Sequence, residues 1–263
     1  MILHYDFTDV APYINWDYFY FAWQVKQDEE RRRLREEAVE LLNTFSVRYR
    51  SHALMLLKKV RAEDDDIVLE DGTRIPCLRQ QKSVPSLCLA DFVAPRWISP
   101  ETSMAVFFAT TVDKGMETDF DSDPYQKMMA QLLADRLAEA TAERLHEQVR
   151  KQFWGYAPDE HLSIEEMQQE RFQGIRPAVG YPSLPDASVN FLLDKILGFS
   201  QIGISLTESG AMRPHASVSG LMLAHPEARY FSVGKIGDDQ LYDYARRRGM
   251  SVDTLRKFLS ANL

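Results

Sequence analysis

Across residues 27–45 the apolar positions Leu34, Ala38, Leu41 and Leu42 recur three to four residues apart among charged neighbours. That period predicts an amphipathic helix, with the run Glu29-Glu-Arg-Arg-Arg33 on its solvated face. The pattern then shifts to three strand-like runs, 53–60, 67–70 and 74–78, the last two separated by Asp71-Gly72, a strong hairpin signal. A further strand is predicted over 104–111 from its β-branched and aromatic content. Helical spacing returns over 124–154, where Tyr125, Met128, Met129, Leu132, Leu133, Leu137, Leu145, Val149 and Phe153 form one stripe. Asp123-Pro124 opens this helix with a capping residue followed by proline at the first helical position. Beyond Tyr181, residues 191–199 and 238–248 read as helices and 221–224 and 230–233 as strands. Ser251 opens a last short helix. The elements intermix without a regular strand–helix–strand alternation, which predicts an α+β fold around an antiparallel sheet.

One segment does not fit either period. Six aromatics (Trp16, Tyr18, Phe19, Tyr20, Phe21 and Trp23) fall within eight positions, preceded by Tyr13. They form either a core segment or a stacking surface, and the burial energetics of aromatics favour the core.

Composition narrows the functional classes. The chain has 263 residues, 45% hydrophobic and 27% charged, with a formal net charge of −8. That acidic balance argues against general nucleic-acid binding. No apolar run approaches the length of a membrane span, and acids occupy the first ten residues where a secretion signal would be basic and apolar. Cys77 and Cys88 are too few for a disulfide framework and read as reduced, packed thiols, so the expected location is cytoplasmic.

The common catalytic motifs are missing: no glycine-rich nucleotide loop, no phosphate-binding loop with its lysine, no nucleophile elbow. The six histidines show no metal-binding spacing; His146-Glu147 is followed by Arg150 where a second ligand would stand, so no metal is expected. Glu139, Glu143 and Glu147 lie four residues apart, hence on one helix face. They are either a solvated, salt-bridged face with Arg136, Arg144 and Arg150, or a face from which one acid meets a cationic ligand. Gly174-Ile-Arg-Pro-Ala-Val-Gly-Tyr-Pro182 packs two prolines and two glycines into nine residues, a stiff irregular segment. It is either a rigid turn or a ligand cradle, with Arg176 as a fork for a carboxylate or phosphate. Met212-Arg-Pro-His-Ala-Ser-Val-Ser-Gly220 has the same character, small residues around a proline that permit close approach.

These segments belong to a longer ordered series. It runs through Leu78-Arg-Gln-Gln81, Cys88-Leu-Ala-Asp-Phe-Val-Ala-Pro95, Ala134-Asp-Arg-Leu-Ala-Glu-Ala140, Leu145-His-Glu147 and Trp154-Gly-Tyr-Ala-Pro158. It continues with Gly174-Ile-Arg-Pro-Ala178, Gly180-Tyr-Pro182, Leu206-Thr-Glu-Ser209, Ala216-Ser-Val-Ser-Gly220, His225-Pro226 and Asp243-Tyr-Ala-Arg-Arg247. In these motifs the chain resembles the activation domain of cobalamin-dependent methionine synthase, from about Tyr13 to the last residue.

The resemblance implies a single C-shaped α+β domain over residues 1–263, with a twisted antiparallel sheet. It implies a methyltransferase component that binds S-adenosylmethionine and supports reductive re-methylation of cob(II)alamin. The cobalamin is carried by a partner module, and the electron comes from a flavodoxin-like or other donor. Modules for homocysteine, methyltetrahydrofolate and cobalamin are absent from the sequence, so a free-standing subunit acting in trans is expected. By resemblance Arg176 takes the ligand carboxylate, Glu139 is a polar contact, and backbone groups around Ala178, Gly180 and Tyr230 hold the adenosine. Tyr181, the candidate catalytic residue, faces the cobalt side, and the loop over 211–216 lies towards the corrin. Asn15 stands where the family has a ligand-binding aspartate, Ala187 where a histidine is common, and Arg213 and His215 where the family has Trp and Gly. Asn15 and Ala187 support an alternative, a corrinoid-docking module with weakened ligand binding and no efficient methyl delivery.

Overall fold

The computed structural model describes residues 1–94, 103–120 and 122–263. Pro95, the end of one family-like motif, lies outside them.

In chain order the strands are β1 (Ile2–Tyr5), β2 (Ser51–Glu63), β3 (Asp66–Leu69), β4 (Arg74–Pro76), β5 (Met104–Val112), β6 (Ser205–Leu206), β7 (Met212–Arg213) and β8 (Ser217–Met222). The helices are α1 (Phe7–Val10), α2 (Trp16–Ala22), α3 (Asp28–Ser46), α4 (Gly115–Thr118), α5 (Pro124–Gln148), α6 (Ile164–Gln168), α7 (Val189–Leu197), α8 (Asp238–Arg248) and α9 (Val252–Phe258). The main sheet has the order β4-β3-β2-β5-β8, wholly antiparallel, with β1 added on β2. β2 holds it together: one edge pairs with β5 from Ser51↔Val112 to Lys59↔Met104, while the other pairs first with β1 and then with β3. This is the α+β architecture expected, a curled antiparallel sheet with flanking helices.

The two-residue period of β5 explains how the sheet is covered. Val106, Phe108 and Val112 enter one apolar cluster with α3 and α5, whereas Ala105, Phe107 and Ala109 enter another with α7. α5 seats itself closely through Ala130, Ala134, Ala138 and Ala142 beside Leu133 and Leu137, all but completely buried. Asp123 caps it, its Oδ1 accepting from the backbone N–H groups of Tyr125 and Gln126. A five-residue π turn, Val149–Phe153, ends it short of Trp154.

Three expectations need correction. The strand expected over 221–224 is β8, which starts earlier because small Ser217, Ser219 and Gly220 pair flat against β5. No strand forms over 230–233. There the Val233 N–H donates to the Pro182 carbonyl, and the Tyr230 hydroxyl oxygen accepts from the Arg176 N–H. The aromatic cluster divides, Phe19 and Tyr20 being buried while Tyr18 and Phe21 are 63% and 81% exposed. Cys77 and Cys88 are free, buried thiols.

Candidate functional site

A cavity of about 680 Å³ lies along α5, between it, the Arg176–Ser183 segment, α6 and the stretch from Tyr230 to Ser232. Two features of the local sequence open it. Residues 175–179 lie against β8 through the Ile175↔Leu223 and Ala178↔Gly220 bridges. Gly220 is required there, since a Cβ would stand 2.2 Å from the Pro177 carbonyl oxygen. Then Gly180, at φ +88°, turns the chain so that its N–H donates to the Leu184 carbonyl. That turn lifts Tyr181 towards α5, where its hydroxyl donates to Glu139 at 2.5 Å.

Of the expected site residues, Asn15, Glu139, Arg176, Ala178, Tyr181 and Tyr230 all line this one cavity. Gly180 does not; it shapes the turn from behind. Asn15 caps α2, its Oδ1 accepting from the Asp17 N–H at 3.1 Å, so its amide N–H groups are the part left for a ligand. Tyr230 holds the backbone of Arg176 through its hydroxyl oxygen, 2.9 Å from the Arg176 nitrogen.

The Arg176 guanidinium is almost buried and partly committed. It donates to Glu143 at 2.9 Å and to the Ala142 carbonyl at 3.2 Å. A guanidinium carries five N–H donors, which leaves three for a ligand. Burial works against its charge, but Glu143, Tyr230 and Glu139 outweigh that cost and hold its proton more tightly than usual. Tyr181 keeps its proton as well, because burial and then the Glu139 carboxylate push its pKa up. It offers the cavity a neutral ring with a fixed hydroxyl and is no base.

The three stacked glutamates separate. Glu139 and Glu143 line the cavity, whereas Glu147 turns away to accept from Tyr13, Arg144 and Lys151. The four-residue spacing offered Glu139, Glu143 and Glu147 alike and could not say which acid faces inward; the resemblance singled out Glu139 alone. Two further cavity residues were not expected in the site. Arg136 stacks over the Tyr18 ring at 5.7 Å and has no ion pair among the described residues. Glu170, at φ +59°, has its pKa raised by partial desolvation and then by Glu143. Two arginines against three glutamates leave the wall one negative charge in excess.

Behind the wall, His146 is fully buried, edge-on to Phe172 at 4.8 Å. Burial, then Arg150 and Arg176, hold its pKa well below the ordinary value. Arg150 in turn is buried, paired with Glu160 at 2.7 Å and set over the Phe172 ring at 4.3 Å. Elsewhere along α5, His215 approaches Asp135 at 3.3 Å, and close by the Ala216 N–H donates to Glu117. The Ser217 hydroxyl is engaged with Thr111 and the Pro214 carbonyl, and that of Ser219 with Asn190. Among the described residues no group of three or more His, Cys, Asp or Glu could hold a metal, and no helix is long and apolar enough to cross a membrane.

A solved structure described as the MetH reactivation domain bound to AdoHcy superposes with a TM-score of 0.93. It is 36% identical, over 100% of this chain and 90% of that one. Residues 6–249 match the family described as vitamin B12 dependent methionine synthase, activation domain. With nearly its whole length matched, the chain belongs to the activation-domain family of vitamin B12-dependent methionine synthases.

Proposed function

We propose that this chain binds S-adenosylmethionine in the cavity along α5 and presents it for re-methylation of the cobalamin held by a methionine synthase module. The observation that carries the reading is the charge of the wall: one excess negative charge, with Arg176 at one end, opposite a ligand of net charge +1. The structural relative's bound AdoHcy, the product of methyl loss, supports the same ligand class.

The residues fit such a ligand. Arg136 and Glu143 are seven residues apart on α5, a separation of about 10 Å, so the cavity accepts an extended adenosyl amino acid along the helix. Three free N–H groups of Arg176 suit a carboxylate, the flat faces of Tyr230 and Phe231 suit the adenine, and Ala178 allows close approach. When bound, the ligand would supply its sulfonium methyl group to a partner cobalamin reduced by a flavodoxin-like or other donor, leaving S-adenosylhomocysteine in the cavity. This chain's part is positional: Arg176 and the glutamates hold the ligand's charges, and Tyr181, pinned by Glu139, walls the side turned to the partner. The loop over 211–216 then faces the partner's corrin. Asn15 favours the second reading, a docking module with weak ligand binding, because it brings no charge to the cavity.

Calorimetric titration decides the matter. The parent chain should bind S-adenosylmethionine, Arg176→Ala should bind none with its fold intact, and Arg176→Lys should recover only part, lacking the fork. Parent-like affinity in Arg176→Ala would sink the assignment.

A further inference from the structure

Building on the S-adenosylmethionine reading above, we infer that Glu143 receives the ligand's α-ammonium group, so that Glu143 and Arg176 together recognise its zwitterionic amino-acid end.

Three observations converge on Glu143. Its Oε2 accepts from Arg176 at 2.9 Å, while its Oε1 is shielded from solvent and has no hydrogen-bond partner. A buried carboxylate oxygen without a donor is costly, so the site is under-satisfied before ligand arrives. The neighbouring groups are placed differently: Glu139 accepts from Tyr181 on Oε1, away from the guanidinium, Glu170 is exposed, and Asn15 is uncharged with its oxygen engaged by α2. An α-amino acid carries its carboxylate and ammonium on one carbon, and here a guanidinium and a carboxylate lie side by side in the wall of the cavity. Their side chains are only 13% and 15% exposed, which strengthens both interactions over their strength in water. The last torsion of a glutamate is broad, so a partial turn brings Oε1 to the cavity face while Oε2 keeps Arg176.

The test crosses the ligand's ammonium with the protein's carboxylate. Calorimetric titrations would compare S-adenosylhomocysteine with its deaminated analogue, in which hydrogen replaces the α-ammonium, on the parent chain and on Glu143→Gln. A charged hydrogen bond of this kind corresponds to a preference of about ten-fold or more for S-adenosylhomocysteine in the parent. Glu143→Gln should bind the two ligands within about two-fold of each other, a small fraction of a ten-fold step. Glu143→Met, similar in size and apolar, serves the same comparison if the amide variant does not fold. A preference retained in either variant, or absent from the parent, overturns the role of Glu143 while leaving the cavity's assignment standing. Failure of the parent to bind either ligand overturns both together.

Discussion

At the scale of single residues, charge placement decides. Asn15→Asp adds a carboxylate to a cavity built for a net-positive ligand and still caps α2, since both side chains accept from the helix N-terminus. Tighter binding of S-adenosylmethionine by about 1–2 kcal/mol is expected, the usual gap between charged and neutral hydrogen bonds. Equal calorimetric affinities of the two proteins would remove position 15 from the site. His146 has a different consequence. In the folded chain it stays neutral, held down by burial and by Arg150 and Arg176, whereas unfolded it takes a proton near its ordinary value of 6.5. Its contribution to stability is therefore whole above pH 6.5. It declines by about 1.4 kcal/mol for each unit below. Urea unfolding between pH 5 and 7 checks this, as His146→Gln should flatten the slope; an unchanged slope would assign the pH dependence to other groups.

At the scale of elements, the site depends on how closely residues 175–179 approach β8. Val179 donates to the Ser219 carbonyl and Leu221 to that of Pro177, which leaves no room beside Gly220. Gly220→Ala drives a methyl into backbone and should cost about 1–3 kcal/mol, the usual range for overpacking. Because Arg176 and Ala178 ride on the displaced segment, the same substitution should weaken ligand binding. A variant that melts lower yet binds as the parent would show that the segment moves as a rigid piece. α5 complements this contact from the other wall, where its buried alanines press it into the core while Arg136, Glu139 and Glu143 project into the cavity.

For the molecule as a whole, the loop bearing Arg213 and His215 presents one exposed guanidinium on a chain of net charge −8. Arg213 is exposed, and His215, 89% exposed, is tied to Asp135, the neighbour of the cavity residue Arg136. A local charge of opposite sign to its surroundings steers a complementary partner and does so less at high salt. Arg213→Ala should lower the rate of methylcobalamin formation on a cobalamin-bearing module, most at low salt, with S-adenosylmethionine affinity unchanged. Absorbance at two salt concentrations measures it; a half-saturating concentration indifferent to salt and to Arg213→Ala would exclude the loop from docking.

What the sequence determined by itself was local. The three-four stripe of α5, the Asp123 cap, the β-branched and aromatic content of β5 and the Asp71-Gly72 turn are written in neighbouring residues, so α3, α5, α8 and strands β2 to β5 were legible within a few positions, whereas β1 was not. The family was legible too, because its motifs keep their order whatever their environment. Tertiary structure decided the rest. Residues 230–233 have strand composition but found no free edge, and Tyr18 and Phe21 were left outside a core that Phe19 and Tyr20 had filled. The division of Glu139, Glu143 and Glu147 was beyond the sequence for the same reason. A four-residue spacing drifts around the helix, and only the packing of Tyr13 and Arg144 on one flank and Arg176 on the other settles which acid faces the cavity.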